Sequence, residues 1–357
     1  MPDPRNNLIP EISVVIATYN GEKFLAEQLE SLLNQTVPPL ELVVCDDRST
    51  DATVSIISSY IPKMPFPVFL YINEDRLGYS QNFYRAVGLA KGEYIAFCDQ
   101  DDIWNTAKID IVTRVLASTP RQAQLVLHPS KVCCSDGTSN TKIFPNHFVR
   151  QGVYSCFEMD MFATVPGHCI VAKKRLVTMA MHFSHLLPGN SPVATGHDDL
   201  VYFLGCVTGI SYVLTAPLVS WRQHSQNTCG VPANITSTEL TMAISHSKAM
   251  FAMSQRWMSL SEALSKLANQ EDYGCFNALM ISSKYFLSRG KYFALRSKLS
   301  DQRYPITSRI ESFFLAHFFF SQTSGLGLPM RIRAAFRDIC SLTLSDDSLS
   351  RIIALVK

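Results

Sequence analysis

Between Glu11 and Ile103 the chain repeats one unit: a short apolar run, a polar turn, then apolar residues at helical spacing. Ile12-Ser13-Val14-Val15-Ile16-Ala17 is short, continuous and rich in β-branched residues, which predicts a strand buried on both faces. It stops at Thr18-Tyr19-Asn20-Gly21, after which Phe24, Leu25, Leu29, Leu32 and Leu33 follow helical spacing. Leu42-Val43-Val44-Cys45 predicts a second strand ending in Asp46-Asp47, with Ser49, Thr50 and Asp51 as N-cap candidates for the next helix. Val68-Phe69-Leu70-Tyr71-Ile72 predicts a third, followed by a loop with Gly78 and a helix from about Ser80 to Ala90. Tyr94-Ile95-Ala96-Phe97-Cys98 predicts a fourth, running straight into Asp99-Gln100-Asp101-Asp102. Such alternation favours a parallel sheet with right-handed crossovers, which binds ligands beyond the carboxyl ends of its strands. The carboxylates after strands two and four are therefore expected on one edge of an α/β sheet.

A chain of 357 residues with 47% apolar and 17% charged residues can bury a large core without covalent staples. A net charge of +2 argues against nucleic acid as the main partner, since phosphate-tracking proteins carry a clustered basic excess. The ten cysteines lie scattered in apolar runs with no CxxC pair, which predicts reduced thiols and a cytoplasmic setting. No apolar h-region follows Met1, and no stretch reaches the roughly 20 apolar residues of a spanning helix. From about Ala107 to Ala233 the alternation gives way to shorter strands and Gly/Pro turns, and from Thr236 onward long amphipathic patterns take over. The expected organisation is one α/β domain over 1–235, with a regularly alternating half (11–105) and a more irregular half (106–235), then a helical C-terminal region over 236–357.

Three carboxylates within four residues, Asp99, Asp101 and Asp102, repel one another, and a hard divalent cation such as Mg²⁺ or Mn²⁺ would stabilise them as carboxylates. The same residues also read as an N-cap and solvated acidic turn before Ile103-Trp104.

Three blocks in order carry a resemblance: Val14-Val15-Ile16-Ala17-Thr18-Tyr19-Asn20-Gly21, then Leu42 to Asp51, then Gly92 to Trp104 with Asp99-Gln100-Asp101-Asp102-Ile103-Trp104. Together they resemble family-2 glycosyltransferases of the GT-A fold, over residues 11 to about 230, and the third block looks like the rhamnosyltransferase-type branch that builds bacterial surface polysaccharides. The resemblance implies a Rossmann-like, mostly parallel sheet flanked by helices. It also implies a metal-dependent, inverting transfer of a sugar from a UDP- or dTDP-linked donor, dTDP-L-rhamnose in this branch, to a hydroxyl of a glycan or lipid-linked acceptor. By the same resemblance Ala17, Thr18, Tyr19 and Asp47 contact the nucleotide base, Asp46 holds its loop, and Asn82 and Gln100 border the donor. Asp99 and Asp101 stand at the DxD element, His224 at the place of a histidine on the metal, and Arg222 beside the diphosphate. His197-Asp198-Asp199 occupies the place of a Glu-Asp catalytic motif, which makes Asp198 the general base. Pro166-Gly167-His168-Cys169 resembles a segment bordering the acceptor. Arg48 stands where many members have glycine, so the backbone there is less permissive.

Between Lys284 and Cys340 basic residues outnumber acidic ones around Phe313-Phe314-Leu315-Ala316-His317-Phe318-Phe319-Phe320. Two readings stand: peripheral contact with the cytoplasmic face of the inner membrane, or a helix packed on the catalytic domain. Two rival functions are also distinguishable. A nucleotidyltransferase would carry a glycine-rich Lys/Arg phosphate loop, which Thr18-Tyr19-Asn20-Gly21 is not, and a non-catalytic carbohydrate-binding module would not need Asp99, Asp101 and Asp198 together.

Overall fold

The computed structural model describes residues 10–119, 123–134, 139–187, 189, 193, 196–224, 227, 246–270, 275–299, 308 and 312. The chain divides into two compact units, one of residues 1–185 and 193–231, the other of residues 186–192 and 232–357. The Phe313–Phe320 run and the basic residues from Arg303 to Arg337 lie outside the described residues.

In the first unit the apolar runs form strands where their β-branched content predicts them: β1 (Ile12–Thr18), β2 (Glu41–Asp46), β3 (Val68–Ile72) and β4 (Tyr94–Cys98). Between them lie α1 (Leu25–Leu33), α2 (Thr53–Tyr60) and α3 (Tyr79–Leu89). The four strands are mutually parallel in the order β3-β2-β1-β4, so the carboxyl ends of β2, β1 and β4 share one edge. Every residue of β2 and β4 is buried, as a strand covered on both faces requires. Ile12, Val14 and Ile16 point to one face, where they pack with Leu25, Leu29 and Leu32 of α1 and with Val112 of α4 (Lys108–Ser118). On the opposite face Phe97 meets Phe83 of α3 edge-on at 5.7 Å. Each such apolar side chain contributes on the order of 2 kcal/mol by leaving water.

Past β4 the topology departs from simple alternation. After β5 (Ile103–Trp104), β6 (Leu125–Leu127), β7 (Ser130–Cys134), β8 (Ser139–Phe144), β9 (Gly152–Tyr154), β10 (Ile170–Lys173), β11 (Ser211–Val213) and β12 (Val219–Gln223) are distributed between two sheets. The large sheet continues β4-β10-β6-β11-β9, with β10 antiparallel to both of its neighbours. The small sheet runs β5-β12-β7-β8. Pairing of β12 with β5 brings the end of the unit against the strand that follows the carboxylate cluster. Two further helices, α5 (Lys174–Leu186) and α6 (His197–Thr208), complete this half.

The second unit, where described, is an antiparallel pair of helices, α7 (His246–Gln270) and α8 (Phe276–Leu299). Trp257 stacks on Phe286 at 5.5 Å, Ser261 bonds Ser283, and Leu260, Leu264 and Leu267 are buried. Gly290 permits this approach, since a Cβ there would lie 2.7 Å from Met258 Cγ. Among the described residues no helix is long and apolar enough to cross a membrane, and the eight described cysteines are free thiols.

Candidate functional site

The residues that follow β1, β2 and β4 open onto one cavity of about 610 Å³, which the second half of the unit closes from the other side. Ala17, Thr18 and Tyr19 line it from β1, Asp47 from β2, and Asp99, Gln100 and Asp101 from β4. Asn82, Asp198 and His224 line it as well. Residues separated by about a hundred positions or more thus converge at the sheet edge, where parallel-strand geometry aims the chain ends.

Local hydrogen bonds fix the loops. Gln100 clamps the loop after β1 to the loop after β4: its Oε1 accepts from the Tyr19 N–H at 3.0 Å and its Nε2 donates to the Tyr19 carbonyl at 3.2 Å. Gly21 is needed for that approach, because a Cβ there would lie 2.4 Å from Gln100 Oε1. Asp46 accepts from Thr18 Oγ1 and from the Ser49 N–H, both at 2.8 Å, so it holds the turn after β2. Asp47 also braces the backbone: it accepts from the Leu77 N–H at 2.7 Å and the Gly78 N–H at 2.8 Å, with Asn73 Nδ2 at 2.8 Å. Asn82 is 1% exposed and links Asn73 to the Cys45 carbonyl. Over the Tyr19 ring lies the Arg76 guanidinium, 3.7 Å from the centroid, and both line the cavity.

The four-residue acidic segment splits between cavity and interior. Asp99 and Asp101 face the cavity, whereas Asp102 is fully buried and its Oδ1 accepts the Arg222 N–H at 3.0 Å. His168 Nδ1 bonds Asp99 Oδ2 at 3.0 Å and lies 3.0 Å from Asp102 Oδ2. His224 Nε2 meets Asp101 Oδ2 at 2.8 Å, and its ring stacks on Phe24 at 4.7 Å. Burial works to raise the Asp99 pKa, but the hydrogen bond and charge of His168 outweigh it and hold Asp99 below the ordinary 3.8. For Asp101 burial and the Asp99 charge prevail over His224 and raise it. Burial pushes Asp102 up to about 8. Beneath the cluster, the fully buried Lys108 donates to the His168 carbonyl at 2.8 Å and sits 3.6 Å from the Trp104 ring centroid, with burial pulling its pKa down to about 8.

Two sets of groups here have metal-ligand chemistry. Asp99, Asp102 and His168 offer one ligand atom each within 4.8 Å of one another. Asp99, Asp101 and His224 all reach the cavity, which Asp102 does not. Carboxylate oxygens with one imidazole suit a hard or borderline divalent ion, and such an ion would offset both the burial and the Asp99 charge that raise Asp101.

Asp198, second residue of α6, presents its carboxylate to the cavity with Oδ2 accepting the Gly167 N–H at 3.1 Å and Oδ1 accepting the Asp199 N–H at 3.0 Å. Arg222, expected beside a diphosphate, is placed behind the cavity wall. It is 2% exposed, its Nε donates to the Asp101 carbonyl at 3.0 Å and its guanidinium pairs with Glu27 at 2.7 Å, over the Phe24 ring. A buried guanidinium needs acceptors, and those found here are the Asp101 carbonyl and the Glu27 carboxylate of α1. Sequence reasoning did not single out Arg76, Lys108 or Glu27. None belongs to a recognisable motif; the basic charge of Lys108 shortly after three carboxylates was the one available signal.

Residues 13–161 match the model of a family described as glycosyl transferase family 2. An uncharacterised protein of Mycobacterium tuberculosis is 32% identical over 136 residues, 38% of this chain and 39% of that one, so the chain matches about two fifths of that relative's length. The dTDP-rhamnosyl transferase RfbG of Shigella flexneri is 29% identical over 235 residues, 62% of this chain and 75% of that one. The crystal structure of S. aureus TarS 1–349 in complex with UDP-GlcNAc superposes with a TM-score of 0.54 at 17% identity, covering 96% of this chain and 92% of that one.

Proposed function

We propose that this chain, whose residues 13–161 match glycosyl transferase family 2 and whose fold resembles that of TarS, transfers a sugar from a nucleoside diphosphate carrier to a hydroxyl group with inversion at the anomeric carbon. The observation that carries this reading is the convergence of Asp99, Asp101 and Asp198 on a single cavity that Ala17, Thr18, Tyr19 and Asp47 also line.

In this reading the nucleotide lies against the loops after β1 and β2, with its base toward Tyr19 and Asp47 and its sugar toward Asn82 and Gln100. Asp99 and Asp101, with His224, would hold Mn²⁺ or Mg²⁺. When bound, that cation supplies positive charge for the departing diphosphate. Asp198 accepts the acceptor hydroxyl's proton while the new C–O bond forms and the anomeric carbon–diphosphate bond breaks. Its two N–H donors, from Gly167 and Asp199, fix the direction of the carboxylate. Arg222 acts here as a positioning residue: through the Asp101 carbonyl, Glu27 and Asp102 it fixes the segment that bears Asp101.

The donor is proposed to be UDP- or dTDP-linked, with dTDP-L-rhamnose favoured by the likeness to RfbG over 235 residues. The acceptor is proposed to be a glycan or lipid-linked oligosaccharide of a surface polysaccharide, met by a cytoplasmic enzyme at the inner face of the membrane. The test is release of nucleoside diphosphate across a panel of UDP- and dTDP-sugars with glycan acceptors. Release dependent on Mn²⁺ or Mg²⁺ is expected, and its absence with every donor would favour a binding module.

A further inference from the structure

His197, the first residue of α6, is 3% exposed, and neither of its ring nitrogens has a hydrogen-bond partner. Aromatic packing fixes the ring: Phe83 stacks on it at 4.3 Å with 25° between the planes, and Phe97 approaches edge-on at 5.0 Å. Tyr79 and Tyr84 approach edge-on at 6.1 and 6.5 Å. These contacts orient an imidazole without satisfying it. A buried polar group left unpaired costs about 1–3 kcal/mol, so a slot built only for packing would be filled at lower cost by phenylalanine.

The surroundings give the ring a direction. His197 lines the cavity beside Asp198 and Gly167. At Gly167 the wall carries no side chain, and a Cβ there would stand 3.1 Å from His197 Nε2, so the nitrogen lies directly behind the glycine. Burial pulls the His197 pKa below 6.5 against the charges of Asp198 and Asp99, which disfavours the charged ring. A neutral imidazole offers one donor and one acceptor, and a hydroxyl group can answer either.

We propose that His197 is a specificity-determining residue whose Nε2 hydrogen-bonds a hydroxyl of the transferred sugar seated at the Gly167 wall, next to Asp198. This assignment rests on the glycosyl-transfer reading. It places the contact on the sugar and leaves the nucleotide to the loops after β1 and β2. Discrimination follows, because a site built to bond a hydroxyl rejects sugars that lack it or turn it away.

Titration calorimetry on the full-length protein with Mn²⁺, using UDP- and dTDP-hexoses beside UDP and dTDP alone, tests this. His197→Phe keeps the stacked ring and removes both nitrogens, while His197→Gln returns a polar group near the Nε2 position. The expected result is a loss of about tenfold in the affinity of His197→Phe for the preferred sugar nucleotide, with affinity for the matching nucleoside diphosphate kept within about twofold. His197→Gln should recover part of the loss. Unchanged affinity for the sugar nucleotide, or an equal loss for sugar nucleotide and diphosphate, would overturn the contact while leaving the transfer reading in place. A wild-type protein that binds no sugar nucleotide in the panel would overturn that reading and the contact with it. Should His197→Phe not fold, as judged by thermal melting, His197→Asn, too short to reach the Nε2 position, carries the same comparison with the same outcomes.

Discussion

Arg48 follows the two carboxylates at the end of β2 with a φ of +62°, a left-handed conformation that costs an L-residue about 1–2 kcal/mol. Its side chain recovers little: the Arg48–Asp75 pair is 4.0 Å apart and exposed. Arg48→Gly is therefore expected to stabilise the protein by about 1 kcal/mol, seen as a rise of a few degrees in Tm. A fall in Tm would mean that the arginine side chain contributes more than its contacts indicate. At this scale the sequence was informative wherever a residue's role follows from its place at a strand end. Asp99, Asp101 and Asp47 stand directly after buried runs, so parallel pairing alone brings them to one edge. Arg222 was not legible, because the direction of its guanidinium depends on Glu27, 195 positions away. Arg76 was missed for a similar reason: its partner, the Tyr19 ring, lies on another loop.

The loop between β3 and α3 shows how an element prepares the cavity. Gly78 has φ +80° and ψ +160°, a region that essentially only glycine occupies, and its N–H donates to Asp47. A Cβ at Gly78 would meet nothing within 4 Å, so the cost of adding one lies in the backbone alone. Gly78→Ala is expected to lower stability by about 1–3 kcal/mol and to weaken nucleotide affinity, both measurable by melting with and without UDP. Unchanged melting in both conditions would contradict that view of the loop. The strands β1 to β4 were legible as elements because each is a short apolar run bounded by polar turns. The insertion of β10 antiparallel between β4 and β6 was not, since alternation and composition fix a strand's burial but not its partner or direction. Helices α7 and α8 were legible as amphipathic patterns, whereas their mutual stacking through Trp257 and Phe286 required the three-dimensional arrangement.

The apolar and basic stretch between Lys284 and Cys340 is proposed to bring the protein to anionic lipid, a reading that rests on its composition. Flotation on anionic liposomes should show the full-length protein binding more than a 1–300 version, with the difference shrinking in high salt, and equal flotation would remove the membrane reading. The proposed transfer requires Asp198 to act at the same cavity that Asp99 and Asp101 line. Its most direct test is Asp198→Asn, measured for sugar transfer and for donor binding on the same preparation. The expected result is transfer reduced by about 100-fold or more with donor affinity within about threefold of wild type, because the amide keeps the shape of the side chain and loses the base. Turnover near the wild-type rate would contradict the assignment of Asp198 and the inverting chemistry built on it.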